Sequence, residues 1–256
     1  MSRERYDLLD TVRGVLIINM ILYHALYDVV HIMGIPIGWY TGPAGYIWQQ
    51  NICWGFILLS GFCFRLSRRP LRHGLTVLGA GILVTLATAL AMPSERIIFG
   101  VLYLLGLSAL VQCAVWALWS RLDLPPFPAG LGLALSALAF FLTREVPSGY
   151  IGFEGLRLCP LPPWLYQWDF LAVLGLPGPG FWSSDYFPLI PWLCLYLCGY
   201  FLWRLIGSRR KVMDRLRPGV RPLAFVGRHS LVIYLLHQPV LMGIFTAAQL
   251  AMGIAL

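Results

Sequence analysis

Charge is what this sequence has least of. Asp, Glu, Lys and Arg make up only 12% of its 256 residues, where a soluble domain carries about 25%. With 59% apolar residues and a mean hydropathy of +0.73, a soluble globular domain is excluded and an integral membrane protein is implied. Lysine occurs once, at Lys211, on the side assigned below to the cytoplasm, which rules out a retinal-type seven-helix receptor. Of six cysteines, Cys53, Cys63, Cys113, Cys194 and Cys198 fall inside apolar runs. Only Cys159 lies outside, so no disulfide framework is implied. No ligand spacing for a metal occurs, and Cys194 and Cys198 read as small packing residues. The first apolar run is too long for a signal-peptide core and no small-residue cleavage site follows it, so it reads as a retained span. Low-complexity tracts and internal repeats are missing too, which leaves one domain over 1–256.

What is present is a set of apolar runs. A segment of about 17–25 apolar residues can cross a bilayer, and seven are found, at 13–33, 46–66, 73–92, 97–119, 129–143, 187–206 and 230–252. The expected fold is therefore all-α, a polytopic membrane helical bundle of about seven transmembrane helices. The stretch 164–176, WLYQWDFLAVLGL, is too short and polar to span and reads as interfacial or re-entrant. Placing the N-terminus in the cytoplasm and the C-terminus outside puts all basic residues but Arg96, Arg144 and Arg157 on the cytoplasmic side. That asymmetry is the positive-inside pattern. The net charge of +8 is thus topological and does not point to nucleic acid. The cytoplasmic arginines suit either anionic membrane lipid or a dedicated phosphate site.

The first span, RGVLIINMILYHALYDVVHIMG, keeps Arg13, His24, Asp28 and His31. At about 100° per residue these four and Asp10 share an arc of roughly 60°, and the stripe from Arg13 to His31 runs about 27 Å. Such a track must look into protein, because an ionisable group at the bilayer centre is costly and marks a functional site by default. In the last span Ser230, Tyr234 and His237 share a face, with Pro239 two residues beyond the histidine. LLSGFCFRLSRRPLR (58–72) ends a span in Ser60-Gly61 and then supplies Arg65, Arg68, Arg69 and Arg72. Arginine is the residue for bidentate phosphate recognition. On the outer side Trp164, Tyr166, Trp168, Trp182 and Tyr186 gather with Asp169 and Asp185, a composition suited to a polar acceptor or to the interfacial belt.

Five phrases, LDTVRGVLIINMILYH, WGFILLSGF, FGVLYLLGLSALV, DYFPLIPWLCLYLCGY and VGRHSLVIYLLHQPV, together resemble the bacterial relatives of the heparan-α-glucosaminide N-acetyltransferase catalytic domain. They run from residue 9 to 241 in the family's order. The arginine–histidine spacing and the Ser-Gly/arginine run also resemble the type 3 integral-membrane acyltransferases. The resemblance implies a bacterial inner-membrane enzyme that takes acyl-CoA, chiefly acetyl-CoA, from the cytoplasm. It would pass the acyl group to a hydroxyl or amine on an extracytoplasmic glycan, without a metal. It assigns His24, Asp28 and His237 to catalysis and Arg13, Ser60, Arg65, Arg68, Arg69 and Arg72 to the donor. His31, Gln50, Asn51, Trp168, Asp185 and Tyr186 fall to the acceptor. The histidine that animal members carry in the loop after this span aligns near Trp39, so either His24 or His31 takes that role here or the chemistry differs.

The expected mechanism has His24 as general base, with Asp28 four residues on to orient its ring, and takes the form of direct transfer between two bound substrates or of ping-pong transfer through an acyl-histidine. A His/Asp stripe also suits a proton relay, so a proton-coupled transporter or flippase for a polar lipid or solute is the alternative. The missing inverted repeat counts against it. A non-catalytic subunit of a larger envelope complex is the third reading. Oligomeric state is left open.

Overall fold

The computed structural model describes residues 5–251. Arg3, counted above among the cytoplasmic basic residues, and the last residue of the run 230–252 lie outside them. Nine α-helices occur among the described residues: α1 (Asp7–Tyr27), α2 (Pro43–Cys63), α3 (Pro70–Ala91), α4 (Val101–Arg121), α5 (Ala129–Leu142), α6 (Leu189–Ile206), α7 (Arg210–Arg215), α8 (Arg221–Arg228) and α9 (Ser230–Ala251). Proline marks several starts. Pro43 and Pro70 open their helices, and Pro128 and Pro188 sit at the caps of α5 and α6. Proline suits these places because the first helical N–H groups have no intrahelical acceptor to lose.

Each of the seven apolar runs is helical over most of its described length. Five elements are long and apolar enough to cross a membrane: Asp7–His31, Pro70–Ala91, Val101–Arg121, Leu189–Ile206 and Ser230–Ala248. That is fewer than the seven expected. The helix α2 carries Gln49, Gln50 and Asn51 in mid-course, and α5 has only 14 residues. The fold is also not purely helical, since β1 (Tyr150–Phe153) and β2 (Leu156–Pro160) pair as an antiparallel hairpin in the long segment between α5 and α6. Within 164–176 the chain forms 3-10 turns, Pro163–Tyr166 and Asp169–Leu174, with Trp164, Trp168 and Phe170 exposed.

The chain divides into two units, one from residues 5–56 and 209–251 and the other from Ile57–Ser208. The first holds α1, the beginning of α2, and α7 to α9. Ile17, Met20 and Ile52 form its core, with Tyr23, Trp48, Val226, Ile233 and Tyr234 packed around them. Here α1 and α8 cross at glycines, because a Cβ on Gly14 would lie 2.0 Å from the Leu223 carbonyl oxygen and one on Gly227 1.8 Å from that of Asp10. Small residues let two helix backbones come this close. The contact is reinforced at the helix start, where the Leu8 N–H donates to the Leu216 carbonyl at 3.1 Å and the Val220 N–H to the Thr11 hydroxyl at 3.0 Å.

The second unit holds the remainder of α2, α3 to α6 and the hairpin. Its interior is aromatic: Trp192 lies between Phe140 and Phe187, and Phe64 meets Tyr196 and Tyr200. The hairpin is tied down by an Arg144–Glu154 pair at 3.0 Å and by the Arg144 guanidinium 4.6 Å from the Trp192 ring centre.

Candidate active site

In the first unit the polar faces of α1 and α9 meet. The His24 and His237 rings face each other with centroids 4.9 Å apart and planes inclined by 59°. The Nδ1 of His237 bonds the Tyr234 carbonyl. A carbonyl only accepts, so Nδ1 carries the hydrogen and the neutral ring keeps its lone pair on Nε2. That Nε2 is buried and has no hydrogen-bond partner among the described residues. One turn along α1 from His24, Asp28 is 1% exposed, and the Gln238 side-chain amide donates to its Oδ1 at 2.8 Å. Asp28 Oδ2 and Gln238 Oε1 are buried and likewise unmatched. Most buried side-chain polar atoms in folded proteins are paired, and leaving one unpaired costs about 1–3 kcal/mol. Three such atoms on two touching residues and the histidine beside them mark a place where substrate chemistry can be received.

The expected stripe along α1 is only partly continuous. Near its start Arg13 pairs with Asp10 at 3.1 Å, and Arg5 with Asp7 and Asp10 at 3.2 and 3.3 Å. His24 and Asp28 turn inward. At Asp28 the helix changes character, and Asp28–Ile32 forms a π-helical turn in which the Met33 N–H donates to the Asp28 carbonyl. A π turn holds more residues than an α turn, so the α-helical arithmetic that put His31 on the common face fails beyond Asp28. His31 is exposed and stacks on Tyr27 with centroids 4.5 Å apart. Asp28 also has a different neighbour from the one expected, since its described hydrogen bond goes to Gln238 on α9 and not to the ring of His24.

Two residues that sequence reasoning missed complete this region. Gln238 was visible only as an amide between His237 and Pro239. Tyr40 is 4% exposed, packs on Tyr23 at 4.9 Å between ring centroids and donates its hydroxyl to the Tyr23 carbonyl at 3.2 Å. Burial, with neighbouring Tyr23 adding to it, pushes the Tyr40 phenol far up, so it stays neutral. Trp39 is 53% exposed and packs against Tyr40 and Trp48. Gln50 accepts from the Trp54 indole at 3.0 Å, and the exposed Asn51 donates to its own helix at Ile47.

The other predicted residues belong to the second unit. Arg65, Arg68, Arg69 and Arg72 are all exposed, and among the described residues none pairs with a carboxylate. The Arg65 guanidinium lies 5.6 Å from the Trp116 ring centre, within cation–π range. Ser60 is half-buried, and its neighbour Gly61 fits against the Tyr196 carbonyl of α6. The glycine thus serves a helix crossing. Trp168 is exposed, and the Tyr186 hydroxyl donates to the Ala172 carbonyl.

Asp185 accepts from the Val101 backbone N–H at the start of α4, a favourable place for a carboxylate. Burial nevertheless outweighs that bond and pushes its carboxyl from 3.8 up to about 6. The folded state then holds the proton more tightly than the unfolded chain, so this group's contribution is fully present below pH 3.8 and is lost as pH rises through about 6. At neutral pH the loss is at most about 3 kcal/mol, at 1.36 kcal/mol per unit. Asp185→Asn, which keeps an acceptor but no charge, is expected to unfold at a higher temperature than wild type at pH 7.5. The difference should vanish near pH 4, as read by thermal denaturation in detergent.

No group of three or more His, Cys, Asp or Glu side chains that could hold a metal ion occurs among the described residues. Comparison with curated proteins and with solved structures finds no match. A family model does match, described as heparan-alpha-glucosaminide N-acetyltransferase, catalytic, over residues 5–239. The match takes in the whole of α1 and reaches past His237 and Gln238, so both sides of the histidine pair lie within it, and the chain belongs to the heparan-alpha-glucosaminide N-acetyltransferase catalytic family.

Proposed function

We propose that this membrane protein is an acyl-CoA-dependent acyltransferase that moves an acyl group, chiefly acetyl, from a cytoplasmic donor to a hydroxyl or amine of an extracytoplasmic glycan. The observation that carries the reading is the facing of His24 and His237 beside the buried Asp28–Gln238 pair, inside the region matched by the acetyltransferase family. The topology that serves it has seven spans, with α2 and α5 added to the five clear ones, a cytoplasmic N-terminus and an outer C-terminus in a bacterial inner membrane. The 16-to-3 division of the 19 basic residues supports that orientation.

In the reaction the acceptor oxygen or nitrogen attacks the thioester carbonyl carbon while a base takes its proton. The carbon–sulfur bond then breaks, its electron pair leaves with sulfur, and the thiolate takes up a proton as free CoA. His24 is the proposed base and His237, with its lone pair on Nε2, the second imidazole at the reacting centre. Arg65, Arg68, Arg69 and Arg72 are the proposed contacts for the donor's phosphates, with Arg13 and Ser60 assisting. His31, Gln50, Asn51, Trp168, Asp185 and Tyr186 are assigned to the acceptor.

The direct test is to incubate membranes containing the protein with labelled acetyl-CoA and follow the label into glycans and lipids. Absence of transfer beyond that of membranes lacking the protein overturns the reading. For the donor site, Arg68→Ala and Arg69→Ala are each expected to weaken acetyl-CoA binding about tenfold or more, since a hydrogen bond to a charged group contributes about 1.5–3 kcal/mol. Calorimetric titration of the purified protein reads this, and unchanged affinity in both variants would make the patch a lipid anchor.

A further inference from the structure

Asp28 is buried to 1% exposure, yet among the described residues no cationic side chain touches it. What holds it is the Gln238 amide at 2.8 Å, from a residue 210 positions away. Gln238 lies between His237 and Pro239. Proline has no N–H, so the Leu235 carbonyl loses its helical donor and the turn is less firmly held by the backbone. Two side-chain bonds occur beside it: His237 Nδ1 bonds the Tyr234 carbonyl and Gln238 bonds Asp28. One turn of α9 therefore meets two successive turns of the first helix, His24 through His237 and Asp28 at the start of the π turn through Gln238. Neighbouring helical residues are about 100° apart, so fixing one of two adjacent side chains fixes the direction of the other.

We propose that Gln238 is a positioning residue, whose bond to Asp28 sets the rotation of this α9 turn and so keeps the His237 ring opposite His24. It rests on the acyl-transfer reading for its kinetic readout only. Asp28 is then needed as an acceptor for the Gln238 amide rather than as a charge beside His24. The pair should accordingly tolerate exchange of its partners. An asparagine amide at position 28 can donate to a glutamate carboxylate at position 238, as Gln238 donates to Asp28.

The experiment compares wild type, Gln238→Leu and the exchanged pair D28N/Q238E in purified, folded protein. Gln238→Leu is expected to lower kcat about 10²-fold, the size of effect that a displacement of about 1 Å can have. KM for acetyl-CoA should stay within about twofold, since the clamp does not touch the donor site. The exchanged pair should regain most of kcat. Normal kcat in Gln238→Leu, or an exchanged pair that binds acetyl-CoA but is as slow as Gln238→Leu, overturns the proposal. The ring is also read without turnover, by ¹⁵N NMR of labelled histidine. The His237 Nε2 signal, which senses the His24 ring opposite it, should shift in Gln238→Leu and return to its wild-type position in the exchanged pair, and an unchanged signal in Gln238→Leu overturns the clamp. A protein that shows this shift and its return but transfers no acetyl group in wild type sinks the acyltransferase reading and leaves the clamp standing.

Discussion

His24→Ala is expected to lower acyl transfer by about 10²–10⁴-fold, the usual contribution of a positioned general base, with acetyl-CoA binding unchanged. The expectation rests on geometry, because His24 faces a second imidazole at 4.9 Å beside three buried polar atoms that stand unmatched among the described residues, His237 Nε2, Asp28 Oδ2 and Gln238 Oε1. Arg65, Arg68, Arg69 and Arg72 lie in the second unit and Arg13 is about three turns of α1 away from His24, so removing the ring takes away proton transfer without touching phosphate contacts. His237→Ala should be slow as well, whereas His31→Ala should mainly raise the acceptor KM, since His31 is exposed and stacked on Tyr27. Single-turnover transfer from labelled acetyl-CoA, alongside binding measured by titration, separates these cases. Near-normal turnover in His24→Ala with a dead His237→Ala would move the base to His237.

A stability effect of comparable weight is expected at the crossing of α2 and α6. A Cβ on Gly199 would lie 2.0 Å from the Leu58 carbonyl oxygen, and one on Gly61 1.9 Å from that of Tyr196. Neither obstacle is a flexible side-chain end, so the helices themselves would have to separate. Overpacking of this kind costs about 1–3 kcal/mol and occasionally more, enough to outweigh the helix-propensity gain of about 1 kcal/mol that alanine has over glycine. Gly199→Ala should therefore unfold at clearly lower temperature in detergent, and Gly199→Val should fail to accumulate folded. Gly79→Ala on α3 is the control, since nothing lies within 4 Å of its Cβ. It should be neutral or slightly stabilising. Equal behaviour of Gly79→Ala and Gly199→Ala would refute the crossing.

The membrane class and the helical course of the chain were legible without coordinates. Low charge and long apolar runs leave few alternatives in lipid, where a backbone must satisfy its own hydrogen bonds. The starts of α2 and α3, at Pro43 and Pro70, lie three residues ahead of the apolar runs at 46 and 73, because the first helical N–H groups need no intrahelical acceptor and a proline is tolerated there. Helical periodicity also placed His24 and Asp28 on one face, and both turned out to face inward. Five clear spans instead of seven reflect the amides of α2 and the brevity of α5, which apolar content alone passed over.

Periodicity stopped serving at Asp28. The π turn that follows is a backbone register change, and no residue type in DVVHI demands it, so the exposure of His31 could not be read in advance. Glycine posed the same difficulty in another form. Gly61 was visible as a small residue beside an arginine run, but whether it admits a ligand or a helix depends on where Tyr196 lies, 135 positions away. Helical class, the inward face of α1 as far as Asp28 and the basic side of the chain follow from the sequence by itself, because each is set by neighbours a few residues apart. The ring of His237 opposite His24 and the Gln238 amide on Asp28 were decided only by tertiary structure, because they depend on the rotation of α9 against α1, which no local pattern encodes.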